Sequence, residues 1–272
     1  MSAHSDNKRR TTRDIVGLKE AAEPIAMVTA YDATFARLVD TAGADMILVG
    51  DSVGMVFQGH DSTLPVTMEH MIYHCQAVVR GSRRALVVGD MPFMSYQASV
   101  EDAVRNGGRL LAEGGCQAVK LEGGARIVPA VEAMVAAGIP VMGHLGLTPQ
   151  SVHVFGGFRV QGREQQARES LLRDAAALQA AGCFAVVLET IPKDLAEEVS
   201  DALTIPTIGI GAGAACDGQV LVCYDYLGLF EGFTPKFVKR FAELGEEVRR
   251  ATASYVEEVK TRSFPGSEHS FE

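Results

Sequence analysis

Short apolar runs alternate with longer stretches of helical periodicity along most of the chain. The runs Ile25–Thr29, Ala44–Gly50, Ala85–Gly89, Ala118–Leu121, Pro140–Gly143, Phe184–Leu188, Thr207–Ile210 and Val220–Cys223 read as strands. Each is short, rich in Val, Ile, Leu or Ala and closed by Gly, Pro or a polar residue, the pattern of strands buried on both faces. Between them, Phe35–Val39 (stopped by Gly43) and residues 66–79, 100–112, 127–137, 163–180 and 195–203 place apolar side chains every three or four positions and predict helices. A final helix is expected over about 235–260. Ahead of the first strand, Thr12-Arg13-Asp14 opens a short helix with Ile15, Leu18 and Ala22 on one face, suited to plugging the bottom of a barrel. Residues 1–11 are polar and aperiodic and are predicted to be disordered. Residues 12–272 are predicted to form one domain.

Strands recur every 20 to 45 residues or so, the scale of a βα unit with occasional insertions. About eight such units in a chain of this length predict a closed (β/α)8 barrel. An open doubly wound sheet is the alternative. The barrel is preferred because three candidate carboxylates lie on neighbouring strands, all at C-terminal ends. The eighth unit is the weakest, since residues 213–218 leave little room for a helix. Long loops after the second and fifth strands are rich in Gly and Pro, as befits a barrel's site-building loops.

Those carboxylates dominate the chemistry. The second strand runs into Asp51-Ser52, the third into Asp90, and the fourth into Glu122. One acid at a strand end is unremarkable, because it caps the next helix. Three on adjacent strands repel one another and call for a cation or raised pKa values. An oxygen-only donor set with no clustered His or Cys selects a hard ion, Mg2+ first, with Asp51 and Asp90 as ligands and Glu122 binding directly or through water. Such a site suits a 2-oxo acid, whose carboxylate and keto oxygens chelate the ion while the metal stabilises the enolate left when a C3 proton departs. Ser52 would hydrogen-bond the bound carboxylate. Lys120, two residues before Glu122 on the same strand, would face it as well and complement the enolate or an acid. Glu189, ending the sixth strand, and His144, ending the fifth, are the candidate bases.

Composition narrows the field further. Net charge is −9 over 272 residues, with no basic stripe, which argues against nucleic acid. No apolar run approaches the 18 or so residues of a membrane span. The N-terminus lacks the apolar core of a secretory signal. Cys75, Cys116, Cys183, Cys216 and Cys223 form no CxxC pair and read as small buried hydrophobes in a reducing, cytoplasmic compartment. GIGAGAACDG, residues 209–218, is compatible with a phosphate cradle but is weak evidence alone. His70 and His74, at i, i+4 without an HExxH pattern, read as surface or packing residues. Asp32 reads as a helix N-cap.

The segments TAYDATFA, VGDSVGMVFQGHDSTLPVT, DMPFMSY, VKLEGG, GHLGLTPQSVHVFGGFRVQGR, LETIP, IGIGAG and FPGSEHSF resemble those of the ketopantoate hydroxymethyltransferase family, in family order from Thr29 to the C-terminus. The resemblance implies a barrel of the phosphoenolpyruvate/pyruvate type. It implies Mg2+-dependent transfer of a hydroxymethyl group from 5,10-methylenetetrahydrofolate to 3-methyl-2-oxobutanoate, forming 2-dehydropantoate for pantothenate and coenzyme A synthesis. It implies metal ligation by Asp51, Asp90 and Glu122, substrate contacts from Asp51, Ser52, Asp90 and Lys120, and Glu189 as proton acceptor. It also implies a homo-oligomer, a decamer in the family. Two rivals stand beside it: a carbon–carbon lyase using the same enolate without folate, and a barrel that binds the metal without turnover. The folate-docking residues are not identified by pattern. Arg159, Arg163 and Lys193 are basic residues near the mouth loops.

Overall fold

Every strand but the first and last is buried along almost its whole length, which is why the hydropathy pattern found them. The computed structural model describes residues 8–230, 232 and 234–271. Eight parallel strands, β1 (Ile25–Thr29), β2 (Met46–Val49), β3 (Leu86–Asp90), β4 (Ala118–Glu122), β5 (Val141–Gly146), β6 (Ala185–Glu189), β7 (Thr207–Ile210) and β8 (Gly218–Leu221), pair in chain order, and β8 closes on β1. The expected closed barrel is therefore present. The helices are α1 (Thr12–Glu20), α2 (Ala33–Thr41), α3 (Val53–Val56), α4 (Met68–Gly81), α5 (Val100–Ala112), α6 (Val128–Ala136), α7 (Val152–Phe155), α8 (Gln165–Ala180), α9 (Lys193–Ala202), α10 (Cys223–Tyr226) and α11 (Leu244–Thr261). No helix among the described residues is long and apolar enough to cross a membrane.

The barrel's interior follows from the two-residue period of a strand. Ile25 and Met27, Met46 and Leu48, Leu86 and Val88, Ala118, Met142, Ala185 and Val187, Ile208 and Val220 form one buried cluster. Ile15 of α1 belongs to the same cluster, so α1 stops the bottom end as expected. Continuing that parity toward the strand C-termini brings in Asp90 on β3, Lys120 and Glu122 on β4, His144 on β5 and Glu189 on β6. These polar residues therefore replace the apolar layers at the mouth.

Several boundaries depart from expectation. The eighth strand is Gly218–Leu221 rather than Val220–Cys223, because Cys223 already opens α10. Gly218 is wedged against β1, where an added Cβ would lie 2.5 Å from the Ile25 carbonyl oxygen. The last helix begins at Leu244, not near Pro235. The N–H groups of Phe241 and Leu244 are taken by the carbonyls of Tyr226 and Leu227, so residues 235–243 pair with that turn instead of coiling. Of the stretch expected to be disordered, residues 1–7 lie outside the described residues. Arg9 and Arg10 are bound to the barrel. Arg9 donates to the Ser82 and Ala85 carbonyls (2.6 and 2.8 Å) just past the C-terminal end of α4, and Arg10 pairs with Asp45 at 2.8 Å. A guanidinium satisfies the orphan carbonyls there. Within the expected single domain, the chain divides at Val222 into two compact units. The second unit holds α10, α11 and the tail, in which Phe264 packs against Tyr255 and His269.

Candidate active site

β2, β3 and β4 deliver Asp51, Asp90, Lys120 and Glu122 to the mouth, and all four are at most 4% exposed. Asp90 Oδ2 accepts the Asp51 backbone N–H at 3.2 Å, and Asp90 Oδ1 lies 2.7 Å from Lys120 Nζ. Glu122 Oε2 accepts the Gln150 N–H at 3.0 Å, and Oε1 lies 3.4 Å from His144 Nδ1. The other ring nitrogen, Nε2, is 3.2 Å from Glu189 Oε2. The expected acids, Lys120 and both candidate bases thus belong to one connected array. Ser52 opens α3 beside it, its hydroxyl 2.8 Å from Tyr31 Oη. Tyr31 is held in turn by its carbonyl, 2.7 Å from His74 Nδ1. His74 is a buried packing residue and His70 lies on the surface, as expected; His70 also closes the capping box of α4. Asp32 caps α2 through the N–H groups of Thr34 and Phe35.

Burial sets the electrostatics. Burial, and then the charges of Asp90 and Glu122, push the Asp51 carboxyl well above the usual range. Burial also pushes Asp90 up, with Glu122 adding to the shift and Lys120 opposing it. Burial would raise Glu122 too, but hydrogen bonding to His144 and the charges of His144 and Lys120 hold it below the usual carboxylate range. Lys120 rises despite burial, because three carboxylates surround it. Burial and Lys120 both press His144 down, yet its hydrogen bonds to Glu122 and Glu189 lift it to about 9. Lys120 Nζ lies 3.2 Å from His144 Nδ1, so the ammonium donates there only when that nitrogen has shed its proton.

Asp51, Asp90, Glu122 and Glu189 face only two cationic groups, Lys120 and His144, so the array is short of positive charge, and burial drives Asp51 and Asp90 toward their protonated forms. A divalent cation fits that imbalance and the oxygen-only donor set. Among the described residues, no three His, Cys, Asp or Glu side chains converge tightly enough to cage a metal by themselves. Mg2+ does not need such a cage, since it is held through one or two carboxylates and keeps its waters. Asp51 and Asp90 suit that role. Both oxygens of Asp90 and of Glu122 are already engaged by protein, so a cation would displace a contact at either one or reach it through water.

Glu189 faces the mouth from the opposite wall, four strands from β2, and its side chain is 16% exposed. β5 reaches it closely. A Cβ at Gly146 (φ +93°) would fall 2.2 Å from the Glu189 carbonyl oxygen, so glycine is required there. Thr190, immediately after, holds φ at 49°, a strained value for a β-branched residue, of order 1–3 kcal/mol.

Pattern reading passed over Gln150 and Tyr96. Gln150, in the turn after β5, donates its amide to Asp51 Oδ2 at 2.9 Å. Tyr96, after β3, places its hydroxyl 2.7 Å from Gln150 Oε1 and accepts the Glu122 N–H at 3.1 Å. Burial and the nearby acids raise the Tyr96 pKa, so the hydroxyl keeps its proton. The motifs LTPQS and DMPFMSY held both residues, but nothing in their spacing marked them. Arg159 and Arg163 are exposed on the loop after β5, and Lys193 is exposed at the first position of α9. All five cysteines are buried, as expected.

Fold and mouth together define a (β/α)8 barrel built around a buried, acid-rich site at the C-terminal ends of its strands. Among solved structures, 2,3-dimethylmalate lyase, a PEP mutase/isocitrate lyase superfamily member, superimposes with a TM-score of 0.60 at 18% identity, over 94% of this chain and 89% of that one. At that identity the likeness establishes the fold. The sequence comparisons reach further. The profile of the ketopantoate hydroxymethyltransferase family matches residues 9–267. The 3-methyl-2-oxobutanoate hydroxymethyltransferase of Anaeromyxobacter sp. (strain Fw109-5) is 59% identical, covering 100% of this chain and 90% of its own length. That of Syntrophus aciditrophicus (strain SB) is 56% identical over 100% of both chains. The chain belongs to the ketopantoate hydroxymethyltransferase family, a family of hydroxymethyltransferase enzymes.

Proposed function

We propose that this enzyme transfers a hydroxymethyl group from 5,10-methylenetetrahydrofolate to 3-methyl-2-oxobutanoate, forming 2-dehydropantoate in the cytoplasmic route to pantothenate and coenzyme A. The observation that carries the reading is the buried array itself: three acids on β2, β3 and β4, facing a carboxylate on β6 that is held by His144. When bound between Asp51 and Asp90, with Glu122 contacting it through water, Mg2+ would supply a Lewis acid to the keto and carboxylate oxygens of the oxo acid and stabilise enolate charge. The backbone N–H and hydroxyl of Ser52, the latter aimed by Tyr31, bind the substrate carboxylate. The Lys120 ammonium complements the oxyanion that develops as the C3 proton leaves. Glu189 takes that proton, with the His144 ring holding its Oε2 and steering the carboxylate. The resulting carbon nucleophile attacks the methylene carbon of the folate-derived iminium, and water releases tetrahydrofolate and product. The barrel walls orient both substrates, which lowers the barrier further.

Support for the folate comes from the mouth loops. Phe57, Phe93, Met94, Val154 and Phe158 are exposed on the loops after β2, β3 and β5, alongside Arg159 and Arg163. Apolar and basic groups together suit a flat, anionic co-substrate. Lyases of this barrel type often use a reactive thiol in a mouth loop, and all five cysteines here are buried. Family membership also supports self-association, as a decamer, without nucleic-acid or membrane partners. The test is product formation from 3-methyl-2-oxobutanoate and Mg2+ with the folate donor present or omitted. Formation of 2-dehydropantoate only with the donor is expected. Cleavage of a 2-hydroxy acid without it would replace this reading with the lyase.

A further inference from the structure

We propose that Gln150 is a positioning residue that locks the Asp51 and Glu122 carboxylates into one register across the barrel mouth. The inference rests on the reading of Asp51 and Asp90 as the acids that receive the cation and the oxo acid. Gln150 is 6% exposed and uses its full hydrogen-bonding capacity. Its amide nitrogen donates to Asp51 Oδ2 and to the Met91 carbonyl, both at 2.9 Å. Its amide oxygen accepts from Tyr96 Oη at 2.7 Å and from Gln97 Nε2 at 2.9 Å. Its backbone N–H holds Glu122 Oε2 at 3.0 Å. One residue from the turn after β5 therefore ties together the ends of β2, β3 and β4.

The direction of the amide is forced. A flipped amide would set its oxygen against the Met91 carbonyl, which can only accept, and its NH2 against the Gln97 NH2. Tyr96 and Gln97 thus act through Gln150 on Asp51, and Gln150 is the piece through which two acids on non-adjacent strands keep their relative aim. Residues that orient a ligating carboxylate typically change metal affinity 10- to 100-fold when removed. A residue that merely fills space would change melting and leave the affinity of the folded protein alone.

The experiment is a Mn2+ titration followed by electron paramagnetic resonance on the full-length wild type, Gln150→Leu, Tyr96→Phe and the double variant. Thermal unfolding and steady-state kinetics are recorded alongside. The wild type is expected to bind Mn2+, Gln150→Leu to bind at least about 10-fold more weakly, and Tyr96→Phe to weaken binding less. The double variant should lose less than the sum of the two single losses, because Tyr96 acts partly through the Gln150 amide and partly on the Glu122 N–H directly. The kcat of Gln150→Leu should fall more than its KM for the oxo acid rises. A wild type that binds no Mn2+ overturns the reading of Asp51 and this proposal with it. A wild type that binds, with both single variants within about twofold of it, overturns the role of Gln150 alone. If Gln150→Leu does not fold, Gln150→Met, which keeps the length of the side chain and the backbone N–H to Glu122 but not the amide, decides: weaker Mn2+ binding supports the proposal and unchanged binding overturns it.

Discussion

The two ends of the barrel bury charge in opposite ways. At the bottom, Asp40 is 4% exposed and accepts the N–H groups of Arg83, Arg84 and Ala85 at 2.9, 3.0 and 2.7 Å. Across the same end, Lys19 Nζ meets Asp217 Oδ2 and the Ser200 carbonyl, both at 2.9 Å, and Thr207 donates its N–H and hydroxyl to the same carboxylate oxygen. Each charge there is answered by fixed donors or an opposite charge. At the mouth, three acids face one another, and Asp51 and Asp90 are driven toward the protonated form. Identical side chains thus serve as fasteners at one end and as a poised, unbalanced array at the other. What separates them is whether backbone donors saturate the carboxylate.

Substitutions that treat the ends alike test this contrast. The largest effect is expected from Glu189→Gln, which keeps the His144 contact but abolishes the proton acceptor. Turnover should fall about 10²- to 10⁴-fold with the melting temperature nearly unchanged. A variant retaining full activity would transfer the base to another group. Asp40→Ala should do the reverse. It leaves backbone N–H groups buried without acceptors, costing about 3 kcal/mol of stability, while the folded fraction keeps its kcat. Calorimetry beside active-site-normalised rates separates the two outcomes. Asp51→Asn removes one of three repelling charges but keeps an acceptor for Gln150. Without metal, it should melt at or slightly above the wild-type temperature although activity is lost. Marked destabilisation would mean that Asp51 is a fastener like Asp40.

The smallest effect concerns pH. The folded-state pKa of His144 is about 9, above its ordinary value of 6.5. The folded state therefore holds the proton more tightly. This contribution is complete below about pH 6.5 and is lost as pH rises through 9. The metal-free melting temperature should decline across that window, and His144→Gln should flatten the decline. An unchanged slope would remove His144 from the balance of charge.

The barrel was legible because its strands are buried on both faces and so print as unbroken apolar runs. The chemistry was legible where it shares a strand with those runs. Asp90, Glu122 and Glu189 each end one, and two-residue parity turns them inward with Lys120 and His144. Gln150 was hidden for a physical reason: its bonds to Asp51 and Met91 span 99 and 59 residues, and a neutral amide in a turn carries no signal of its own. Tyr96 was hidden likewise, since an aromatic after a strand looks like packing until its hydroxyl is seen between Gln150 and Glu122. Periodicity misled over 235–243, where the apolar spacing suits a helix but the backbone donors of Phe241 and Leu244 go to the turn at Tyr226 and Leu227.

The account turns on Glu189 and the acids of β2 to β4 generating a carbon nucleophile before any one-carbon donor arrives. Proton magnetic resonance of 3-methyl-2-oxobutanoate in deuterated water, with enzyme and Mg2+ but no folate, measures this directly. The predicted result is loss of the C3–H signal that requires Mg2+ and disappears with Glu189→Gln. A C3–H signal that persists under these conditions, in an enzyme that still forms product once the donor is added, would contradict it.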